Sequence, residues 1–312
     1  IGYTINMFRP TRVIIVFDGK GGSTRRRKLY PEYKAKRKTK YRVNRAYDFA
    51  SQEDEKQNMI MQLQRVVEYL EALPVTVLSY DNIEADDTIG YLCRQVLTDS
   101  EITIMSTDKD FLQLANSRIK VWSPTKKKMY DEQAVFDEFG ISSHNLIWYR
   151  VLDGDKSDNI PGVRGVGEKT AVKLISEFGS IEGVYENLER ISGKSLKEKL
   201  ETDLENAFLS RELATIDCHV PLSVTLEDVH LGETDLYNND ELYALLEELE
   251  FRTLMNRLIK KRVTVSAGQE SGSSVGEVRE SSQDDNQELF SSEEKTDHGH
   301  LEVECSLIET AE

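Results

Sequence analysis

Short apolar runs in the first part of the chain have the pattern of buried strands. The first is VIIVF at residues 13–17, which leads directly into Asp18 and Gly19. Similar runs occupy residues 75–78 and 102–105, and the last of the series covers residues 119–122. Continuous apolar runs of this length are typical of parallel strands that are covered on both faces. They predict a parallel sheet with polar residues at its carboxyl edge.

Apolar residues at helical spacing fill the intervals between these runs. Residues 54–73 place Ile60, Leu63 and Val67 near the helical period, and residues 85–96 show the same spacing. Strands that alternate with helices predict an α/β fold. After residue 122 the pattern becomes helical and stays so to about residue 262.

Two stretches near the start lack such a pattern. Residues 1–11 show no defined element before the first strand, and because the chain opens on Ile1 we expect a truncated start. Residues 19–51 form a long insertion without an apolar period. Long insertions that have no core are commonly functional loops or lids.

Charge is distributed unevenly along the chain. The net charge is −16, and residues 264–312 contain 13 acidic and 2 basic residues. Because this segment is also rich in Ser and Gly, residues 263–312 are expected to be a disordered acidic tail or linker. Residues 25–45, in contrast, hold 11 basic residues and the single acid Glu32. Local positive charge of this density is typical of a phosphate-binding surface.

Other features exclude several classes of protein. No stretch approaches the roughly 18 apolar residues of a membrane span, and the start has no signal-peptide pattern, so we expect a cytoplasmic protein without membrane contact. The 3 cysteines lie far apart and form no CxxC pair. They support neither a disulfide framework nor a zinc site.

Acidic residues recur at four places, and three of these places follow a predicted strand. The acids are Asp18, Glu84, Asp86, Asp87, Asp108, Asp110, Asp155 and Asp158. If the strands are parallel neighbours, their carboxyl ends bring these side chains into one pocket. Carboxylates crowded in this way need a cation, and oxygen ligands favour two or more Mg²⁺ or Mn²⁺ ions. Such ions can activate water for phosphodiester hydrolysis.

A plainer interpretation exists for some of these acids. Asp86, Asp87 and Asp108, taken singly, have the positions of helix caps or first-turn acids. Helix caps do not require doubled acids such as EADD, DKD and DKSD, so the recurrence favours the metal site.

Residues 159–178 read NIPGVRGVGEKTAVKLISEF and predict a helix-hairpin-helix. Glycines in the turn allow a phosphate to approach the backbone N–H groups, and the following helix begins with positive potential. In isolation the pattern is also that of an ordinary turn between helices, but here it directly follows two acids. The predicted DNA-backbone contacts are Gly162, Arg164, Gly165, Gly167, Lys169, Thr170 and Lys173.

The basic segment mixes tyrosines with lysines and arginines. Bases can stack on tyrosine rings while the cations hold phosphates, which suits single-stranded nucleic acid, although a solvated charged surface has the same composition. Lys34 and Arg37 are candidates for stabilising charge at the scissile phosphate. The predicted DNA contacts are Arg25, Arg26, Arg27, Tyr33, Lys36 and Lys38.

Six motifs together resemble a known family. The motifs VIIVFDGK, YPEYKAKR, IEADD, STDKDFLQL, LDGDKSDNIPGVRGVGEKTA and ELEFRTL are similar, in order over residues 12–258, to the 5′-nuclease domain of bacterial DNA polymerase I and its bacteriophage relatives. The resemblance implies that the eight acids are metal ligands and that Lys34 and Arg37 are cations of a helical arch. It also implies cleavage of 5′ flaps and 5′ ends of DNA in replication and repair, in a bacterial or phage-infected cell.

The resemblance further implies a domain plan. A PIN-like α/β nuclease core covers residues 1–123, with the arch at about residues 20–58, and a helical region covers residues 124–262. Potassium is expected to assist the helix-hairpin-helix. The protein is expected to be monomeric, with a replication polymerase or single-strand-binding protein as a possible partner.

One departure from the family pattern lies at the start of the chain. The family opens with a strand that ends in a further aspartate ligand, and this chain begins after that point. The departure favours a fragment over an inactive or weakened enzyme. Three other functions stay open: the amino-terminal part of a DNA polymerase, a non-catalytic binder of branched DNA, and a PIN-type ribonuclease.

Overall fold

The computed structural model describes residues 2–37, 49–229, 239–269 and 306–310. The chain is divided into two compact units. The first unit comprises Ile1–Thr39, Val75–Gly232 and Val303–Glu312, and the second comprises Lys40–Pro74 and Glu233–Glu302. None of the described helices combines the length and apolar character needed to cross a membrane.

A mixed sheet forms the centre of the first unit. Its strands are β1 (Arg12–Asp18), β2 (Thr76–Tyr80), β3 (Glu101–Met105), β4 (Ile119–Ser123), β5 (Lys128–Tyr130) and β6 (Ser306–Thr310). The described strands follow the order β2-β1-β6-β3-β4-β5. The four predicted apolar runs lie within β1 to β4, which confirms their assignment as strands. The pairs β1–β2 and β3–β4 are parallel, whereas β5 and β6 pair antiparallel to their neighbours.

Helices surround this sheet and continue the chain after it. In the first unit they are α1 (Gly2–Phe8), α2 (Thr24–Leu29), α4 (Ala85–Tyr91), α5 (Glu132–Phe139), α6 (Ser143–Asp153), α7 (Glu168–Phe178), α8 (Ile181–Glu186), α9 (Lys194–Thr202) and α10 (Leu204–Ala214). A π-helical turn, Leu92–Val96, completes the predicted helix over residues 85–96. Short 3-10 helices cover Lys109–Leu114 and Leu188–Arg190.

The second unit contains α3 (Gln52–Glu71), α11 (Asp240–Glu248) and α12 (Arg252–Gln269) in its described part. Ser51 caps α3 by accepting a hydrogen bond from the Asp54 N–H, as expected for a helix that begins with acids. The C-terminal end of α3 is held to α11 because Asn239 donates to the Ala72 carbonyl oxygen. Leu70 and Leu73 are buried there together with Leu242. The helix predicted over residues 54–73 is confirmed, with its start two residues earlier.

Three predictions about local structure are wrong. Residues 2–8 form α1, although no opening element was expected. β5 interrupts the region that was predicted to be helical from residue 123, because Lys128–Tyr130 pairs with the end of β4 as a hairpin. In the predicted tail, α12 continues to Gln269 and Ser306–Thr310 forms β6. The composition of the whole segment concealed this five-residue stretch, whose backbone pairs with both β1 and β3.

Candidate active site

β1 ends in Asp18, and the next residue fixes where this carboxylate lies. A Cβ atom on Gly19 would lie 1.6 Å from the Tyr80 carbonyl oxygen, so only glycine allows the chain to pass this close to the end of β2. The Asp18 carboxylate accepts a hydrogen bond of 2.7 Å from the Ala85 N–H, in the first turn of α4. Asp18 is therefore connected to the start of the second acidic motif.

Glu84, Asp86 and Asp87 form a tight group of acids at the start of α4. One carboxylate oxygen from each residue lies within 4.8 Å of the other two. Glu84 and Asp87 are buried and Asp86 is half-buried. Burial raises the pKa of Glu84 and of Asp87, and the negative charge of Asp86 raises both pKa values further. Carboxylate oxygens are the ligands that hard divalent cations prefer, so this group fits such an ion. The ion would also relieve the repulsion between the carboxylates.

Basic residues from the segment after β1 contact these acids. Lys34 Nζ lies 2.7 Å from a Glu84 oxygen, and its side chain is only 12% exposed. The guanidinium of Arg26 pairs with both Glu84 and Asp87. Burial opposes the charge on Lys34, but the negative charge of Glu84, together with that of Asp86 and Asp158, outweighs burial and raises the pKa of Lys34 above its ordinary range. Lys34 is therefore a protonated cation held against a candidate metal ligand.

A backbone clamp sets the position of Lys34. Lys34 and Asn159 both have left-handed backbone conformations, with φ of 56° and 60°. The Lys34 N–H donates to the Asp158 carbonyl oxygen at 2.8 Å, and the Asn159 side chain donates to the Glu32 carbonyl oxygen at 2.8 Å. The Arg37 guanidinium pairs with the Asp158 carboxylate. Both candidate catalytic cations are thus connected to the loop that carries the last two acids.

Asp108 and Asp110 follow β3. The Asp108 carboxylate accepts a hydrogen bond of 2.8 Å from the Asp110 N–H and so caps the 3-10 helix Lys109–Leu114. Burial raises the pKa of Asp110 to about 7, and the charge of Asp108 adds to this effect. Burial also raises the pKa of Asp108, and the charges of Asp86 and Asp158 contribute to that rise. The acids after β3 therefore lie close enough to the other two groups for their charges to interact.

The last two acids lie in the loop between α6 and α7. Asp155 and Ile160 exchange two backbone hydrogen bonds of 3.0 and 2.7 Å, which close this loop. The Asp155 carboxylate accepts hydrogen bonds from the N–H and the hydroxyl of Ser157. Burial alone would raise the pKa of Asp155, but these hydrogen bonds and the charge of Arg150 outweigh it and lower the pKa below the ordinary value.

Arg150 was not predicted, although it joins two of the acidic groups. This α6 residue lies 2.9 Å from an Asp110 oxygen and also pairs with Asp155. The sequence contains a weak signal for it, because Arg150 lies between apolar positions of α6 and five residues before Asp155. An arginine that is drawn into an apolar helix face usually has an acidic partner.

Two residues of the basic segment are not DNA contacts of the predicted kind. Arg26 is 2% exposed and faces acids, and Tyr33 is 2% exposed with its hydroxyl 3.5 Å from Glu84 oxygens. The sequence suggested an exposed surface because both residues lie among many cations, but the local fold turns them inward. Arg25 pairs with Asp87 and Asp217, whereas Arg27 and Lys36 are exposed. Lys38 lies outside the described residues.

The hairpin after Asp158 has one structural glycine. Gly162 is buried with φ of 61°, and a Cβ atom there would lie 2.5 Å from the Gly154 nitrogen. Its N–H already donates to the Ser210 hydroxyl at 2.9 Å. The prediction that Gly162 contacts a phosphate is therefore wrong, because close packing against Gly154 accounts for the glycine.

The rest of the hairpin remains a candidate phosphate-binding surface. Gly167 is the N-cap of α7, and Gly165 has a left-handed backbone. Lys169 and Lys173 are exposed along α7. The Arg164 side chain is 74% exposed while its guanidinium contacts the buried carboxylate of Asp203. Thr170 is half-buried in the first turn of α7.

Comparisons with known proteins agree with this arrangement. Residues 2–140 match the 5′-3′ exonuclease N-terminal resolvase-like domain, and residues 141–236 match the 5′-3′ exonuclease C-terminal SAM fold. Relatives include DNA polymerase I of Caldicellulosiruptor bescii, 37% identical over 257 residues, and DNA polymerase I of Bacillus subtilis, 35% identical over 257 residues. Each match covers 80% of this chain, which spans 28% and 27% of the length of those relatives.

Solved structures show the same fold. The bacteriophage T5 5′-exonuclease with divalent metal ions (zinc) bound has a TM-score of 0.60 and 20% sequence identity. That match covers 79% of this chain and 87% of the T5 chain. The α/β architecture with a following helical region is thereby confirmed. Since the two domain matches together cover more than half of the sequence, the chain belongs to the 5′-3′ exonuclease family.

Proposed function

We propose that this chain is a structure-specific DNA nuclease that removes nucleotides from 5′ ends and cuts 5′ flaps in replication and repair. The observation that carries the proposal is the convergence of Glu84, Asp86 and Asp87 with the acids after β3, beside the protonated Lys34. Phosphodiester hydrolysis needs both positive charge at the phosphate and a polarised water, and this arrangement suits the two requirements.

The chain's own residues have distinct roles in this proposal. Glu84, Asp86, Asp108 and Asp110 would hold divalent ions, and Asp18, Asp155 and Asp158 would complete the surroundings of the ions. Mg²⁺ or Mn²⁺ fits these oxygen donors and would polarise the attacking water. Lys34 and Arg37 would bind the scissile phosphate and stabilise the negative charge that develops on it. The sequence-based prediction of Mg²⁺ over zinc rests on the absence of Cys and His from these motifs.

DNA is the proposed substrate. Arg27, Lys36, Arg164, Lys169 and Lys173 are exposed cations that can bind phosphates without reading sequence. A bacteriophage T5 flap endonuclease variant has been solved as a pseudo-enzyme-product complex with DNA and metal ions, at TM-score 0.59 and 20% identity. Potassium at the hairpin, a monomeric state and a cytoplasmic location belong to the same proposal. So do the division at residues 123–124, the arch and a polymerase or single-strand-binding partner.

A flap-cleavage assay tests the proposal. A duplex with a 5′-labelled single-stranded flap is incubated with the chain in Mg²⁺, in Mn²⁺ and in chelator, and the products are sized. We expect short 5′-labelled products with either metal ion. The same sequence as fully single-stranded DNA and as RNA separates a structure-specific deoxyribonuclease from a ribonuclease.

Two controls determine how the result is interpreted. Asp86→Asn should lower cleavage by about a thousandfold while DNA affinity in Ca²⁺ is kept, since the variant removes a proposed metal ligand and leaves the exposed cations in place. Cleavage that is equally fast in chelator and in Mg²⁺ would overturn the metal-dependent mechanism. Tight flap binding with no cleavage under any metal condition would instead support the branched-DNA binder.

A further inference from the structure

Arg26 has an environment unlike that of the neighbouring cations. Among the cations whose burial the structure describes, it is the one that is buried. Its guanidinium donates to the Asp87 carboxylate at 2.7 and 2.8 Å and also to Glu84. The remaining donors bind the carbonyl oxygens of Leu213 at 2.9 Å and Thr215 at 3.0 Å. A guanidinium has five N–H donors in a fixed plane, so this set of acceptors matches its shape.

The two carbonyl acceptors belong to residues 213–217, which run from the last turn of α10 into the chain that follows it. The Asp217 N–H donates to the same Asp87 carboxylate at 2.8 Å. Leu213, Thr215 and Asp217 thus each direct one backbone group at Arg26 or Asp87. The start of α4 and residues 213–217 are therefore joined through the buried Arg26–Asp87 ion pair, and Arg25 adds a more exposed link by pairing with Asp87 and Asp217.

The other side of this segment contacts the acids after β3. The Gln113 side chain donates to the Ala214 carbonyl oxygen at 3.2 Å and accepts from the Ile216 N–H at 3.1 Å. The same amide donates to the Asp110 carbonyl oxygen at 2.9 Å. Residues 213–217 consequently form a common support for two of the acidic groups.

Asp87 and Asp86 differ in the hydrogen bonds that their carboxylate oxygens accept. Both oxygens of Asp87 accept hydrogen bonds from Arg26, and one of them accepts a further bond from the Asp217 N–H. The Asp86 carboxylate, in contrast, accepts a hydrogen bond on one oxygen from the Asp87 N–H, and among the described residues no other donor to it is seen. Although one oxygen of Asp87 lies within 4.8 Å of the other two acids, its lone pairs are directed at Arg26.

We infer that Arg26 and Asp87 form a buried positioning pair, which fixes Glu84 relative to residues 213–217, and that Asp87 acts through Arg26 and not as a metal ligand. This assigns Arg26 a role other than DNA binding. The consequence for cleavage rests on the proposed function, whereas the pair itself can be tested without DNA. Removing either partner takes the bidentate contact from a buried charge and leaves only Glu84 beside Arg26 or Arg25 beside Asp87, so the two residues should depend on each other.

Metal binding and turnover test the pair together. Mn²⁺ binding is measured by calorimetry for wild type, Asp86→Asn, Asp87→Asn, Arg26→Lys and the Arg26→Lys/Asp87→Asn double variant. We expect Asp86→Asn to lose a bound ion. Asp87→Asn should keep the number of ions and lower affinity by about tenfold, as for residues that orient ligands. In the Arg26→Lys background, Asp87→Asn should add little.

Lys28→Met is the matched control, because it removes an exposed cation from the same helix α2. It should leave Mn²⁺ affinity and the urea midpoint within error. Arg26→Lys keeps the charge without the planar fork, so we expect kcat to fall about 30-fold with KM and DNA affinity in Ca²⁺ unchanged. Circular dichroism during heating establishes the temperature at which each variant is folded. Urea unfolding at that temperature compares the stabilities of the variants.

Three outcomes would overturn the inference. Loss of a bound ion in Asp87→Asn to the same degree as in Asp86→Asn would make Asp87 a ligand. A weaker DNA affinity and a smaller salt dependence in Arg26→Lys would make Arg26 a phosphate contact. Independent, additive effects of the two changes on Mn²⁺ affinity would exclude a pair. If wild type binds Mn²⁺ but cuts no DNA, the proposed function fails while the calorimetry still decides the pair.

Discussion

The acids at the start of α4 and the acids of the loop after α6 are held in opposite ways. Burial raises the pKa of Glu84 and Asp87 despite the cations beside them, whereas hydrogen bonds and Arg150 lower the pKa of Asp155. The first group is thus strained in its charged form and the second is stabilised in it. The difference indicates that a divalent cation would stabilise the negative charge of the α4 acids more than that of Asp155. The charge of Asp155 is already balanced by hydrogen bonds and by Arg150.

The largest effect that follows from this comparison is on turnover. Asp86→Asn removes a charge from the strained group, and Ser157→Ala removes a hydrogen bond from the compensated one. A metal ion contributes several kcal/mol to the transition state, so Asp86→Asn should lower kcat by about a thousandfold. Ser157→Ala should lower it by less than about tenfold. Single-turnover cleavage of the flap substrate measures both, and equal losses would remove the distinction between the groups.

Lys34→Ala should have the next largest effect. The ammonium lies 2.7 Å from Glu84, so its loss removes the proposed phosphate-binding cation and also a partner of a buried acid. We expect kcat to fall about 100-fold, as for the loss of one charge-stabilising donor. Lys36→Ala is the control, since Lys36 is an exposed cation two residues away. It should mainly weaken DNA binding, and a similar loss of kcat in both variants would contradict a special role for Lys34.

Gly162→Ala tests the loop by a change in packing. Its Cβ atom would meet the Gly154 nitrogen at 2.5 Å, and φ is 61°. Gly140→Ala has a similar φ of 72° with nothing within 4 Å, so it separates backbone strain from the clash. We expect the free energy of unfolding to fall by about 1 kcal/mol for Gly140→Ala and by about 3 kcal/mol for Gly162→Ala. Urea denaturation measures both free energies. Equal losses of stability would show that the loop shifts to accommodate the added Cβ atom of Gly162→Ala.

The pH dependence of stability in chelator should reveal a further acid that is unfavourable in its charged form, Asp110 after β3. The pKa of Asp110 is raised from 3.8 to about 7 in the folded chain, so between these values the folded state binds a proton that the unfolded state has released. This group therefore makes stability fall as pH rises from about 4 to about 7. Asp110→Asn should remove part of that slope, on the order of 2 kcal/mol. Unfolding of both proteins across this range, with and without Mn²⁺, checks the sign, and an unchanged slope would contradict it.

Much of the sheet could be predicted because β1, β3 and β4 are mostly buried and read as apolar runs, and the half-buried β2 follows the same sequence pattern. β5 and β6 could not, since three or five residues at a sheet edge or between distant strands carry too little pattern. The eight acids were predicted to be ligands because hard cations require several carboxylates, and their role as ligands stays a prediction. Arg26 and Tyr33 were predicted to contact DNA because the sequence shows the charge of one and the ring of the other. It does not show whether these side chains point to solvent or to the interior. Burial of a cation is decided by partners such as Asp87 and the Leu213 carbonyl, which are distant in sequence.

The smallest expected effect lies on the hairpin. Lys169 is exposed in the first turn of α7, where the positive end of the helix favours a phosphate. Lys169→Ala should weaken DNA binding by about threefold and reduce the magnitude of the slope of log Kd against log salt by about one, with kcat unchanged. Glu177→Ala, at the exposed C-terminal end of the same helix, should leave that slope as it is in wild type. Fluorescence anisotropy in Ca²⁺ at several salt concentrations measures both. A changed kcat for Lys169→Ala would mean that the hairpin positions the scissile phosphate, because a contact that only anchors the duplex contributes equally to the bound substrate and to the transition state.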